Sequence, residues 1–140
     1  MISEIQRYTE QLFEDLNLPD GLHADENKVY TLNLGEGLII QYADLNPGLE
    51  LMSYLGGLVE ENKETFLMAL MRVNLFGKGT GGGILGYDPR NRNISYSLAF
   101  PHSLTYKEFR HAIEDFINYV ELWTGEFMKS RRGEKSLLDF

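Results

Sequence analysis

The chain has 140 residues, 43% of them hydrophobic, with a formal net charge of −8 and a pI near 4.8. That length supports one compact domain with its own core and no need of metals or disulfides, while the negative balance offers no broad positive field for phosphates and excludes nucleic acid as an expected partner. Cysteine is absent, which removes disulfides, thiolate metal sites and cysteine nucleophiles together.

The opening residues Met1-Ile2-Ser3-Glu4 lack the basic region and apolar run of an export signal, and no stretch approaches ~20 apolar residues. A soluble protein that stays in the cytoplasm and does not insert into membranes is expected. Ser3-Glu4-Ile5-Gln6 fits a capping box and predicts a helix start. At 100° per residue, Ile2, Ile5, Tyr8, Leu12, Phe13 and Leu16 fall on one stripe and Arg7, Glu10, Gln11 and Glu14 fall opposite. Pro19-Asp20-Gly21 is expected to end this helix. Period-two segments follow at Lys28 to Leu34, Leu38 to Ala43 and Leu49 to Leu55, separated by Gly35-Glu36-Gly37 and Asn46-Pro47-Gly48, and read as an antiparallel meander.

Lys63 to Phe76 has the length and composition of a helix, with Asn62 as its cap and Gly77 where it should stop. It has two apolar faces. One carries Phe66, Ala69, Leu70, Val73 and Phe76; the other carries Leu67, Met68, Met71 and Leu75, leaving narrow polar lanes at Arg72 and at Lys63 with Asn74. Leaving four large side chains wet forgoes about 1.5–3 kcal/mol each, a sum comparable with the roughly 5–15 kcal/mol stability of a domain. A homodimer seam at Leu67, Met68, Met71 and Leu75 is therefore expected; the alternative is a helix sandwiched within one chain.

Beyond a glycine-rich loop, Ile84 to Tyr87 and Asn93 to Phe100 read as strands joined by a turn over residues 88–92, with Ile94, Tyr96, Leu98 and Phe100 on one face. Thr105-Tyr106-Lys107-Glu108 is a second capping box. After it, Phe109, Ala112, Ile113, Phe116, Ile117, Val120, Trp123 and Phe127 form a long apolar stripe. The element order α-β-β-β-α-β-β-α predicts an α+β fold, three helices on an antiparallel twisted sheet, in one domain over residues 1–130 with a C-terminal tail over 131–140. The tail has two readings: a frayed terminus, or docking of Leu137, Leu138 and Phe140 into an apolar groove.

The loop Gly77-Lys78-Gly79-Thr80-Gly81-Gly82 formally contains G-x-G-x-x-G. A dinucleotide fingerprint, however, follows a strand and opens a helix, whereas this loop leaves a helix and enters a strand. Lys78 is followed by Gly79 where a P-loop needs Ser or Thr. The glycines are expected to serve backbone permissiveness; the competing idea is a small-molecule-binding regulatory or enzymatic domain that uses Gly77–Gly83 as a cradle. His23, His102 and His111 are scattered, and no nucleophile elbow or H-E-x-x-H occurs. His111 with Asp115, Asp25-Glu26 and Glu60-Glu61 read as solvated charges. No catalytic residue, cofactor or metal site is expected, and the protein is not expected to be an enzyme.

Asn74-Leu75-Phe76-Gly77, Thr80-Gly81-Gly82, Leu85-Gly86 and Asp88 resemble the central signature of the Tir chaperone (CesT-like) family, the class I type III secretion chaperones, and the likeness extends over residues 1–130 in element order. Lys78 between the first glycines departs from that pattern. The resemblance implies a homodimer that binds the N-terminal chaperone-binding segment of an effector, keeps it extended and secretion-competent, and presents it to the export apparatus and its ATPase. It also implies an effector-binding region on the first helix and first strands, at Ile5, Tyr8, Leu12, Phe13, Leu16, Val29, Thr31, Leu38 and Ile40, many of which can equally fill the core.

Overall fold

The computed structural model describes residues 3–17, 24–58, 61, 63–76 and 80–136. Its elements are α1 (Glu4–Asp15), β1 (Val29–Asn33), β2 (Ile39–Asp44), β3 (Leu49–Gly57), α2 (Lys63–Phe76), β4 (Ile84–Asp88), β5 (Asn93–Phe100) and α3 (Tyr106–Arg131). The expected order and the α+β class are those observed. Ile2, the Pro19-Asp20-Gly21 stop, His23, Glu60, the Asn62 cap, Gly77, Lys78 and Gly79, and tail residues Leu137, Leu138 and Phe140 lie outside the described residues.

The strands form one sheet in the order β1-β2-β3-β5-β4. The first three make the expected meander, and β5 returns beside β3, leaving β4 at the edge. β1 and β2 are antiparallel with Leu32 opposite Ile40 and Tyr30 opposite Tyr42; β4 and β5 are antiparallel with Leu85 opposite Tyr96.

The chain divides into two compact units, Met1–Leu51 with Ala99–Asp115, and Met52–Leu98 with Phe116–Phe140. In the first, Ser3 caps α1 by accepting from the Gln6 amide at 3.1 Å. The helix stops after Asp15: Leu16 and Asn17 donate back to Leu12 and Glu14, and Asn17 takes the left-handed φ of +53° that Asn tolerates. Ile5, Thr9 and Leu12 are buried, as are Tyr30, Leu32, Ile40 and Tyr42 on one face of β1 and β2. Thr9 gives its only proton to the Ile5 carbonyl at 2.8 Å, so the Tyr42 hydroxyl, 2.8 Å from Thr9 Oγ1, is the donor between them. Burial raises the Tyr42 pKa and keeps this donor protonated. The Tyr30 and Tyr42 rings stack at 5.1 Å, and Phe109 meets Tyr42 edge-on at 5.9 Å. α3 starts on a full capping box: Thr105 Oγ1 accepts from the Glu108 amide at 3.1 Å, and Glu108 accepts from the Thr105 amide at 3.0 Å.

The second unit has its core at Leu55, Leu70, Val73, Leu85, Ile94, Tyr96, Phe116, Val120, Trp123 and Phe127. Tyr96 stacks on Phe116 at 5.2 Å, and Phe66 of α2 meets Phe127 of α3 edge-on at 5.1 Å. α3 closes with a Schellman turn in which Glu134 donates to Lys129 at 2.8 Å and Gly133 to Ser130 at 3.1 Å, with Gly133 at φ +76°. Ser136, three residues beyond that glycine, is buried.

Candidate functional site

α2 carries two unlike faces because its apolar residues recur at both i+3/i+4 series. Leu70 and Val73 are buried, whereas Met68 is 55%, Met71 70% and Leu75 72% exposed, with Leu67 half-buried between. The neighbouring strand β4 adds Ile84, 61% exposed. Met68, Met71 and Leu75 recur at helical spacing on one side of α2, and clustered apolar exposure of this kind, unlike scattered single residues, marks an interaction site. Asn74 ties the helix to the strand: its Nδ2 donates to the Leu85 carbonyl at 2.6 Å, and the Leu85 amide donates to its Oδ1 at 2.9 Å.

In the other unit, Ile5, Leu12 and Ile40 are buried and belong to the core. Tyr8 is half-buried, its single hydroxyl proton shared between the Leu104 carbonyl at 2.7 Å and Glu4 at 2.8 Å. Phe13, Val29 and Leu38 are half-buried, while Thr31 and Leu16 are exposed, Leu16 at 43%. Register explains the split within the strands: Val29 and Thr31 stand opposite Ala43 and Gln41, on the face away from Tyr30, Leu32, Ile40 and Tyr42. That outer face also presents Ile39, 44% exposed, and Leu45 follows it. Sequence reasoning passed over Ile39 because two adjacent isoleucines satisfy either parity; the pairing of Leu32 with Ile40 selects Ile40 for the inside.

The described part of the glycine loop is packed on aromatic rings. A Cβ on Gly81 would lie 2.3 Å from the Tyr119 ring, and one on Gly83 would lie 2.6 Å from both the Ser97 carbonyl and the Tyr96 ring. The Tyr96 hydroxyl donates to the Thr80 carbonyl, and burial pushes its pKa up to about 12. These glycines admit close approach of rings where a ligand cradle would need open space. On β4, Asp88 holds the following turn: it accepts from the Arg90 amide at 3.0 Å, pairs with the Arg90 guanidinium at 3.1 Å and accepts from Tyr54 at 2.7 Å. Those bonds, Arg90's first and Tyr54's next, hold its carboxyl well below the usual range. His102, His111 and Asp115 are exposed. Among the described residues, no group of three or more His, Cys, Asp or Glu is placed to hold a metal ion, and no helix is long and apolar enough to cross a membrane.

The model of the Tir chaperone protein (CesT) family matches residues 8–124. A Chlamydia pneumoniae protein, CPj0713/CpB0740, is 29% identical over 114 residues, covering 79% of this chain and 86% of that protein. Two solved structures share the fold. The ExsC–ExsE complex contains a chain with a TM-score of 0.74 at 18% identity, covering 89% of this chain and 93% of its own. The HopA1–SchA chaperone–effector complex gives a TM-score of 0.61 at 12% identity, covering 89% and 99%.

Proposed function

The chain belongs to the Tir chaperone protein (CesT) family, and from that premise we propose that it is a cytoplasmic, non-enzymatic type III secretion chaperone that dimerises through α2 and holds the N-terminal segment of an effector for export. The observation that carries the reading is the presence, on this fold, of apolar exposure in each unit: Met68, Met71, Leu75 and Ile84 in one, Leu16 and Ile39 in the other. The first surface suits a second copy of the chain. It is nearly devoid of charge, and a two-fold axis would use each side chain twice.

The second surface suits an extended apolar segment. A segment wrapping the β1 edge would meet Phe13 and Leu16 on the α1 side of the sheet and Val29 and Thr31 on its outer face, with Leu38 beside β2, Tyr8 at the margin and Ile5, Leu12 and Ile40 in the core. Such a segment gains affinity from main-chain hydrogen bonds at a sheet edge and specificity from side-chain pockets. The chain's net charge of −8 complements basic client segments and keeps a loaded complex soluble. Residues 1–130 serve as the chaperone domain, residues 131–140 as its tail, and delivery of the client to a secretion ATPase is the downstream step.

The test is recovery of the protein from its native cell under conditions that induce the secretion system, with bound proteins identified by mass spectrometry and their bound regions mapped by limited proteolysis. Protection of the N-terminal segment of a secreted protein, weakened by Leu16→Asp, is the expected result. Recovery of no secreted protein, or protection insensitive to Leu16→Asp and Phe13→Asp alike, would overturn the assignment.

A further inference from the structure

One end of the sheet is β4, whose outer side would be free to accept another strand. Ile84, Gly86 and Asp88 stand opposite Ser97, Ser95 and Asn93, while Leu85 turns its main-chain pair away from β5 towards Asn74. By the alternation of an antiparallel ladder, Gly83 and Tyr87 turn theirs the same way. Two of the three positions have main-chain groups already engaged, and the third has a charge beside its side chain. The Gly83 amide donates to the Thr80 carbonyl at 3.0 Å inside the turn. Leu85 gives its amide to the Asn74 carboxamide and receives a bond in return, the double exchange that an opposing residue of a further strand would make. Over Tyr87 stands the Lys63 ammonium, 5.1 Å from the ring centre, and a lysine charge at an edge opposes pairing. Lys63 and Asn74 are eleven residues apart, three turns to within about 20°, so they share the narrow polar lane that separates the two apolar faces of α2.

We propose that this lane is an edge seal: Asn74, assisted by Lys63, stands in for a sixth strand and prevents the sheet from being extended at β4 by a second copy or by an extended peptide. Association on this side is thereby confined to side-chain contact through α2. Strand addition by a client is left to β1, a corollary that rests on the proposed function; the seal itself does not.

The test uses the full chain and needs no client. In Asn74→Ala, Leu85 amide exchange should quicken by about tenfold or more, because two hydrogen bonds are lost. The protein should also assemble with rising concentration into species larger than the wild type's, measured by light scattering. Adding Tyr87→Pro, which removes the next donor along the edge, should abolish that extra assembly while leaving any association through α2 intact. Asn74→Asp keeps the shape and the acceptor for the Leu85 amide but drops the donor to the Leu85 carbonyl; should Asn74→Ala fail to fold, it carries the assembly criteria alone, the exchange criterion belonging to Asn74→Ala. Leu85 exchange within about twofold of wild type, an unchanged assembly state, or larger species that persist with Tyr87→Pro would each overturn the seal.

Discussion

Met71→Glu is the sharpest probe of the α2 surface. Met68, Met71, Leu75 and Ile84 are between 55% and 72% exposed, and full burial of such side chains is worth about 1.5–3 kcal/mol each. Scaled by those exposures, covering the four gives about 4–8 kcal/mol on each protomer. A symmetric pair therefore gains about 8–16 kcal/mol against an association cost of about 4–15 kcal/mol. The margin is small enough for one position to decide. Met71→Glu removes its share twice and strands a carboxylate in a desolvated seam on each protomer, so the dimer dissociation constant should rise at least ~100-fold, equivalent to about 2.7 kcal/mol. Because Met71 is exposed in the isolated chain, the folded protomer should keep its circular dichroism and lose little intrinsic stability. Sedimentation equilibrium over a concentration series reads the dissociation constant, and urea denaturation followed by circular dichroism reads the stability. A variant that dimerises as tightly as wild type, or a wild type that stays monomeric at tens of micromolar, would refute the reasoning.

Two glycines with opposite surroundings should respond in opposite directions to alanine. Gly83→Ala should lose about 1–3 kcal/mol in urea denaturation because its new Cβ meets the Ser97 carbonyl and the Tyr96 ring, whereas Gly125→Ala, within α3 and with open space around it, should gain about 0.5–1 kcal/mol. Tyr96 predicts an alkaline limit. Its folded pKa of about 12 lies above the unfolded value of 10, so its contribution is complete below pH 10 and is lost as the pH rises towards 12. Tyr96→Phe should cost about 1 kcal/mol at neutral pH and flatten the fall in stability between pH 10 and 12, read by thermal melts across that range. An unchanged alkaline profile would remove Tyr96 as its cause.

Much of the architecture is legible in local pattern. Ser3 and Thr105 mark helix starts because short hydroxyl side chains satisfy first-turn amides. The double apolar character of α2 follows from spacing alone, since one helix cannot turn both Leu70 and Met71 inward. Which residues of α1 and β2 stay exposed was less legible. Ile5 and Leu12 lie at the centre of the α1 stripe, where burial is deepest, while Leu16 lies at its margin and stays exposed. Ile40 and Ile39 cannot be told apart by a period of two when both are apolar.

Residue order thus determined the eight elements, the acidity and the surplus apolar face of α2, all of which depend on neighbours within a few positions. Only the tertiary structure decided that β5 lies between β3 and β4, that Tyr96 and Tyr119 fill the space above the glycines, and that Asn74 turns its carboxamide to the main chain of Leu85. Each of those depends on a partner distant in sequence, and local periodicity fixes which face a side chain takes but not what that face will meet.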